Sequence, residues 1–258
     1  MQITLNGRNA LITGGSMGLG LAVAKKLVEA GGHVALVARR QAMLDEARES
    51  VAACGDGKVI TVAADVATAD GCTQAFEEAK AKLGSVDVLV NNAGTSQVAP
   101  FEEITDEVWQ ADLDLKLFAA IRLARLAMPD MRAAKWGRII NVLNTGAKAP
   151  VAGNAPTAVS RAAGLSLTKV LSFEGAADNV LVNALLVGRI ESDQWVRRAE
   201  SSGESLADFY KKMGSGLPMG RVGTADEFAA MACLLASEQG GYINGAAINV
   251  DGGLCAVT

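Results

Sequence analysis

Long hydrophobic runs are missing from the sequence. No stretch approaches the roughly 20 consecutive apolar residues that a membrane-spanning helix requires, although 50% of the residues are hydrophobic. Residues 1–7 also lack the basic start and the apolar middle of a secretion signal. We therefore expect a cytoplasmic protein that has no membrane partner.

An excess of basic charge is missing too. The 24 Lys and Arg residues face 28 Asp and Glu residues, the formal charge at pH 7 is −4, and the two signs are interspersed along the chain. A protein that binds nucleic acid needs a basic stripe to meet the phosphate backbone. The charge pattern therefore argues against a nucleic-acid partner and favours a small molecule.

Cysteine and histidine are sparse. The four cysteines, Cys54, Cys72, Cys233 and Cys255, have neither the spacing of a metal site nor that of a redox pair. We expect reduced thiols that pack as small hydrophobic side chains, and no metal is predicted. The single histidine, His33, begins an apolar stretch and is interpreted as structural.

The apolar residues that are present form short runs separated by amphipathic stretches. Strands are predicted at 10–12, 33–38, 59–63, 86–90, 138–142, 180–186 and 246–250, and helices after the first strand and at 41–53, 68–83, 106–134, 155–177 and 224–236. Strands that hardly alternate with polar residues are buried on both faces, as in parallel sheets. The alternation predicts one α/β domain over residues 1–258 with a doubly wound parallel sheet.

The first strand runs into a glycine-rich turn, Thr13-Gly14-Gly15-Ser16-Met17-Gly18-Leu19-Gly20. Without side chains at Gly14, Gly18 and Gly20, the backbone can approach a pyrophosphate. The first N–H groups of the helix that follows then face the anion. The spacing differs from G-x-G-x-x-G, so the turn by itself is a weak signal.

Three further stretches accompany the turn: Asp65-Val66, Asn91-Asn92-Ala93-Gly94 and a glycine-rich tail at 240–253. With them the chain resembles the short-chain dehydrogenase/reductase superfamily over nearly its full length. The resemblance implies a Rossmann-type sheet of about seven strands flanked by helices, and a homotetramer or homodimer built from two long helices and the C-terminal strand region. The cofactor site that it implies comprises Gly14, Ser16, Met17, Gly18, Leu19, Gly20, Arg39, Arg40, Asp65, Val66, Asn92, Ala93, Gly94, Arg161, Gly188 and Ser192.

The end of the second strand bears on the choice of cofactor. A site that prefers NAD usually places an acidic residue there to bind the ribose hydroxyls. Here Ala38 occupies the place, and Arg39 and Arg40 follow at once. Because an arginine can stack on adenine and pair with a 2′-phosphate, NADP(H) is favoured over NAD(H). The alternative is that both arginines are merely solvated.

The same resemblance implies four catalytic positions, and this sequence departs from the family at each. Where the family has Asn, Ser, Tyr and Lys, this chain has Lys116, Asn144, Thr157 and Arg161. A carbonyl reduced by hydride needs a proton donor with an accessible pKa, whereas threonine does not ionise usefully and arginine stays protonated. Asn144 retains an amide donor that can polarise a carbonyl, and Arg161 can hold ribose hydroxyls or an anionic group. The resemblance therefore implies a degenerate active site.

Lys116 is the most informative of the four replacements. It falls in an apolar stripe of its predicted helix, with Trp109, Leu113, Ala120, Leu123 and Ala127. A lysine desolvated there has a lowered pKa and is a candidate for the missing proton donor. The alternatives are a lysine that extends to solvent and one that pairs with an acid at a subunit contact.

Residues 189–217 break the alternation of strand and helix. They resemble the family's substrate loop, and we interpret them as a lid. Gly188 precedes the loop, and Ser192 occupies a position that usually meets the nicotinamide carboxamide. An apolar pocket is predicted from Trp195, Phe209, Tyr210, Met213 and Leu217. Simple packing of these side chains is the alternative.

Three functions are compatible with the sequence. The first is an NADP(H)-dependent oxidoreductase that acts on a small carbonyl or alcohol with a non-standard proton donor. The second is a catalytically inactive nucleotide-binding or scaffold protein, and the third is non-redox chemistry on the same fold. The intact glycine turn together with Arg39 favours the first two.

Overall fold

Seven parallel strands form one sheet within residues 2–257, the part of the chain that the computed structural model describes. The strands are β1 (Asn9–Thr13), β2 (His33–Ala38), β3 (Val59–Ala63), β4 (Val88–Asn91), β5 (Gly137–Asn144), β6 (Val180–Val187) and β7 (Ala247–Val250). Their order across the sheet is β3-β2-β1-β4-β5-β6-β7. The predicted doubly wound α/β fold is confirmed.

Helices cover both faces of this sheet. They are α1 (Gly18–Glu29), α2 (Gln41–Ala52), α3 (Ala69–Leu83), α4 (Asp106–Leu113), α5 (Ala119–Ala133), α6 (Thr157–Gly175), α7 (Asp193–Ser202), α8 (Leu206–Ser215) and α9 (Ala225–Ala236). One core packs α1, α2 and α9 against the sheet around Leu27, Leu44 and Phe228. A second core packs α3 and α5 around Phe76 and Leu123. Because both faces are covered, β1 is buried at all five positions.

The long helix predicted at 106–134 is interrupted. A π-helical segment, Asp114–Phe118, separates α4 from α5. The wider turn of a π-segment adds a residue to the helix and changes the direction in which side chains leave it, and such segments are frequent at functional sites. It contains Lys116, which is buried.

His33 opens β2, and its Nδ1 accepts a hydrogen bond of 2.8 Å from the backbone N–H of Lys58. The four cysteines are free, and burial raises the pKa of the Cys72 and Cys233 thiols to about 11. No helix between residues 2 and 257 combines the length and the apolar character needed to cross a membrane.

The predicted lid folds into two short helices, α7 and α8. Gly203 ends α7 in the left-handed conformation (φ 71°), and the Ser205 hydroxyl caps α8 by accepting a 3.1 Å hydrogen bond from the Asp208 N–H. The rings of Trp195 and Phe209 hold the two helices together, with centroids 6.3 Å apart. The segment predicted to be a lid thus forms a pair of helices, and α7 lies at the carboxyl end of the sheet.

Candidate active site

A cleft of about 910 Å³ crosses the carboxyl ends of the strands. Its walls come from the segments that follow β1 to β6 and from α7. The chain passes from β1 outward to β2 and β3, and then crosses to β4 on the other side of β1. Such a switch point in a parallel sheet opens a crevice where ligands bind.

The glycine turn forms the centre of the cleft wall. Gly14 and Gly18 adopt positive φ angles of 64° and 54°, which favour glycine. Helix α1 begins at Gly18 without a side-chain cap and without an acidic residue in its first turn. Its free N–H groups and the positive end of its dipole are therefore available to an anion.

Gly20 was predicted to contact the cofactor, but it is not among the described residues that line the cleft. A methyl group at this position would collide with the carbonyl oxygen of Gly14 and would lie 2.6 Å from Nδ2 of Asn92. Gly20 therefore lets α1 pack closely on the end of β1.

Asn92 clamps the same turn from the end of β4. Its Nδ2 donates to the carbonyl oxygens of Thr13 at 3.0 Å and Gly14 at 3.2 Å. The Thr13 hydroxyl in turn accepts the N–H groups of Asn92 and Ala93, both at 2.9 Å. These bonds fix the backbone of the cleft between β1 and β4.

Arg39 and Arg40 lie at one end of the cleft, exposed after β2. Asp65 and Val66 line the same end after β3. Oδ1 of Asp65 accepts the N–H of Ala67 at 3.1 Å, which stabilises the turn that leads into α3. Gly188 and Ser192 line the opposite end, together with Ala93 and Gly94.

The four predicted catalytic residues lie together at that opposite end. The Lys116 ammonium forms a short ion pair with Oδ1 of Asp112 and donates a 2.8 Å hydrogen bond to Oγ1 of Thr157. The side chains of Lys116 and Asp112 are each only 1% exposed. Oδ2 of Asp112 also accepts a 2.6 Å hydrogen bond from the hydroxyl of Ser160.

Burial lowers the pKa of Lys116 to about 8, and the positive charge of Arg161 acts in the same direction, while Asp112 opposes both. The pKa of the ammonium therefore lies close to neutral pH, which is where a general acid is most effective. Of the two alternatives to a proton donor, solvent exposure is wrong. An acidic partner is present, but it lies on the same chain four residues earlier.

Lys116 is not among the described residues that line the cleft, whereas Thr157 is. The Thr157 hydroxyl accepts from Lys116 and, at 3.1 Å, from the N–H of Gln97, and it donates to the carbonyl oxygen of Gln97 at 2.8 Å. A hydroxyl has one donor and two acceptor positions, so all three are used. Thr157 therefore provides a hydrogen-bonded route for a proton from Lys116 to the cleft.

Arg161 and Asn144 complete this end. Nη1 of Arg161 donates a 2.7 Å hydrogen bond to the carbonyl oxygen of Val142, and a methyl group at Gly94 would lie 2.5 Å from its Nη2. Burial lowers the pKa of the Arg161 guanidinium to about 10, against the opposing charge of Asp112. Oδ1 of Asn144 and Nε of Arg161 are buried without a hydrogen-bond partner among the described residues.

Residues 8–202 match the family model described as short chain dehydrogenase. The chain belongs to the short chain dehydrogenase family. It is therefore an oxidoreductase by family, and the Rossmann-type cleft described above is the usual site of such a protein.

Known relatives of this short-chain dehydrogenase align over nearly their whole length. D-beta-hydroxybutyrate dehydrogenase from Cupriavidus necator is 33% identical over 255 residues, which are 96% of this chain and 98% of the relative. The structure of L-sorbose reductase from Gluconobacter frateurii, complexed with NADPH and L-sorbose, is 34% identical with a TM-score of 0.95 and full coverage of both chains. That of a 3-oxoacyl (acyl-carrier-protein) reductase from Agrobacterium tumefaciens with NADP bound is 29% identical, with a TM-score of 0.90 and coverage of 97% and 95%.

Asp112 and Ser160 were missed in the sequence of this short-chain dehydrogenase. Asp112 precedes Lys116 by four residues within the helix predicted at 106–134, a spacing that brings two side chains together and could have indicated the pair. Ser160 lies on α6, and its contact with Asp112 spans 48 residues. Only the tertiary fold brings these two together.

The lid of this short-chain dehydrogenase contributes less apolar surface than predicted. Of the five residues expected to form an apolar pocket, Trp195 alone is among the described residues that line the main cleft. Tyr210 lines a smaller depression beside it, with Leu206. Three arginines, Arg189, Arg197 and Arg198, line this end of the cleft, so it is more basic than predicted.

Proposed function

We propose that this chain is an NADP(H)-dependent oxidoreductase that interconverts a small carbonyl compound and its alcohol. One observation carries the proposal: a single cleft joins an uncapped helix N-terminus behind a glycine turn to a wall formed by Asn144, Thr157 and Arg161. Behind that wall lies a lysine with a pKa near neutrality. The helix N-terminus and the glycine turn suit a dinucleotide, and the wall with the lysine behind it suits proton transfer to an oxygen atom.

The cleft residues fit the cofactor in three parts. The first N–H groups of α1 and the Gly14–Gly18 backbone suit the pyrophosphate. Arg39 and Arg40 suit a 2′-phosphate through their planar forks, and Gly188 and Ser192 flank the end where a nicotinamide fits. When bound, this cofactor supplies or accepts a hydride. The sorbose reductase is complexed with NADPH, and the Agrobacterium reductase has NADP bound.

The remaining residues suit the handling of the substrate oxygen. In the direction of reduction, Thr157 turns its hydroxyl from Gln97 toward the substrate oxygen, donates its proton there and receives a proton from Lys116. Asp112 holds the Lys116 ammonium in place for this relay. Asn144 and the Arg161 guanidinium suit the negative charge that develops on the oxygen.

The hydrogen bonds of the Thr157 hydroxyl favour a second candidate function, nucleotide binding without catalysis. Its three hydrogen-bonding positions are all filled by protein groups, and Lys116 is held by Asp112 behind it. A site in which these bonds persist binds a nucleotide without proton transfer. The second candidate is therefore a nucleotide-binding protein that does not turn over.

One experiment separates the two candidates. The protein is titrated calorimetrically with NADPH and with NADH, and a panel of carbonyl compounds is then followed at the nicotinamide absorbance. NADPH binding with turnover supports the oxidoreductase, and tight binding without turnover supports the binding protein. If neither nucleotide binds, the assignment of the glycine turn is wrong.

Arg39→Leu is expected to weaken NADPH binding about 10-fold while leaving NADH binding unchanged. The reason is the loss of a charge-assisted contact to a 2′-phosphate, which NADH lacks. Calorimetry with both nucleotides measures the difference. Arg48→Leu is the matched control, since Arg48 is an exposed arginine of α2 outside the cleft. Equal losses for NADPH and NADH in Arg39→Leu would contradict the role of Arg39.

Gly20→Ala is expected to weaken NADPH binding by at least 10-fold and to lower the free energy of unfolding by about 1–3 kcal/mol. The added methyl group collides with the Gly14 carbonyl, so α1 must move away from the glycine turn. Calorimetry and urea unfolding measure the two effects. In the control Gly216→Ala, the nearest atom to the new methyl group is the Met213 carbonyl oxygen at 3.9 Å, and neither quantity should change.

A further inference from the structure

Three arginines lie at the lid end of the cleft. Arg189 follows β6, and Arg197 and Arg198 lie on α7; all three line the cleft and are exposed. The guanidinium carbon of Arg189 lies 5.1 Å from the ring centroid of Trp195, and that of Arg198 lies 4.9 Å from it. Stacking on one indole ring restrains both guanidinium groups at the mouth of the cleft.

These arginines have no carboxylate partner among the described side chains. Among the side chains that the structure describes, which do not include that of Asp193, none of the three has a partner carboxylate within 4.0 Å, unlike Arg221, which pairs with Glu227 outside the cleft. Asp65 is the one acid among the described residues that line the cleft, and it follows β3 at the opposite end. Glu191 lines the smaller depression beside the lid.

The deeper part of the same end carries surplus positive charge as well. The single negative charge of Asp112 faces both Lys116 and Arg161. Bringing like charges together in a partly enclosed cleft is unfavourable unless a ligand compensates them. The lid arginines therefore add to an electrostatic preference for an anion at this end.

The cofactor's own phosphates are not the natural partners of these three side chains. The N-terminus of α1 and the pair Arg39 and Arg40 suit those phosphates without any contribution from these three side chains. We infer that the substrate carries an anionic group, a carboxylate or a phosphate, which Arg189, Arg197 and Arg198 bind while the carbonyl lies beside Asn144 and Thr157. This inference rests on the proposed function, because it names the class of substrate for the same site.

The test measures binding without turnover. The NADP⁺-saturated protein is titrated calorimetrically with benzoate and phenyl phosphate, and with the neutral analogues benzamide and benzyl alcohol. At least one of the anions is expected to bind 10-fold or more tightly than the neutral analogues, and which one binds better identifies the anionic group. Equal binding of anions and neutral analogues would overturn the inference.

Two variants locate the site. In Arg189→Gln/Arg198→Gln the preference for the anion is expected to fall about 10-fold, as for the loss of a charge-assisted hydrogen bond. NADP⁺ binding should stay unchanged. Arg48→Gln, on the exposed side of α2, is the control for loss of one arginine. A double variant that loses NADP⁺ affinity but keeps its anion preference would assign the arginines to the cofactor and overturn the inference.

A paired assay distinguishes this inference from the proposed function. 4-Carboxybenzaldehyde and benzaldehyde are offered with NADPH, and kcat/KM is compared. Turnover with a kcat/KM at least 10-fold higher for the anionic aldehyde supports both the proposed function and the anionic substrate. Turnover without that advantage overturns the anionic substrate alone. Selective anion binding without turnover of either aldehyde supports the anion site and contradicts the oxidoreductase.

Discussion

Replacing Asp112 with leucine is expected to lower the free energy of unfolding by about 3–5 kcal/mol. The substitution leaves the Lys116 ammonium buried without its carboxylate, and removal of one partner of a buried ion pair typically costs this much. Both side chains are only 1% exposed, so water cannot replace the lost partner. The hydroxyl of Ser160 loses its acceptor as well. Urea unfolding at neutral pH measures the loss.

The double variant Asp112→Leu/Lys116→Met tests whether charge is the cause. Because it removes both charges and replaces them with apolar side chains of similar size, it should recover most of the stability lost in Asp112→Leu. The double-mutant cycle should show a coupling energy of at least about 3 kcal/mol between the two positions. Additive losses would mean that Asp112 acts through packing and Ser160 rather than through Lys116.

The sheet was predictable because its strands carry their own signal. The run at 33–38 has the bounds of β2, whose four central residues are buried, and a strand buried on both faces is apolar. The run at 59–63 also has the bounds of β3, although this edge strand is only partly buried. The glycine turn was likewise visible, because positive φ angles and close approach leave few residues other than glycine. Gly20 shows the limit of that signal. The same residue type serves backbone packing and ligand approach, and the sequence does not distinguish the two.

The candidate catalytic end was predictable only in part. The burial of Lys116 follows from the apolar stripe around it, and the structure bears this out. The π-segment from Asp114 to Phe118 gave no signal, because the apolar stripe predicts one continuous helix over 106–134 and does not mark where the helix widens. The contacts from Thr157 to Gln97 and from Ser160 to Asp112 join residues that lie 60 and 48 positions apart. Such contacts exist only in the folded chain.

Lys116→Met is expected to reduce turnover of a carbonyl substrate by about 100-fold or more, with NADPH affinity kept within about 2-fold. A general acid typically contributes a rate factor of this size, so its loss lowers turnover by the same factor. NADPH affinity is kept because Lys116 is not among the described residues that line the cleft. Because burial lowers its pKa to about 8, the ammonium form that donates the proton is lost as the pH rises. The rate of reduction should therefore fall above about pH 8 in the wild type, and this limb should be absent from the variant.

The stability cost of removing Lys116 has to be separated from its effect on the proton. Lys80→Met is the control for loss of an ion-paired lysine, since Lys80 pairs with Asp130 at 2.6 Å on the surface, away from the cleft, and its turnover should match that of the wild type. In the stability-restored background Asp112→Leu/Lys116→Met, turnover should stay low even though the fold is recovered, because a methionine has no proton to pass to Thr157. Lys116→Arg should also stay slow, since arginine holds its proton at neutral pH and does not relay it. Turnover at the wild-type level in either variant would exclude Lys116 as the source of the proton and leave Asn144 and Arg161 to act with a proton from water.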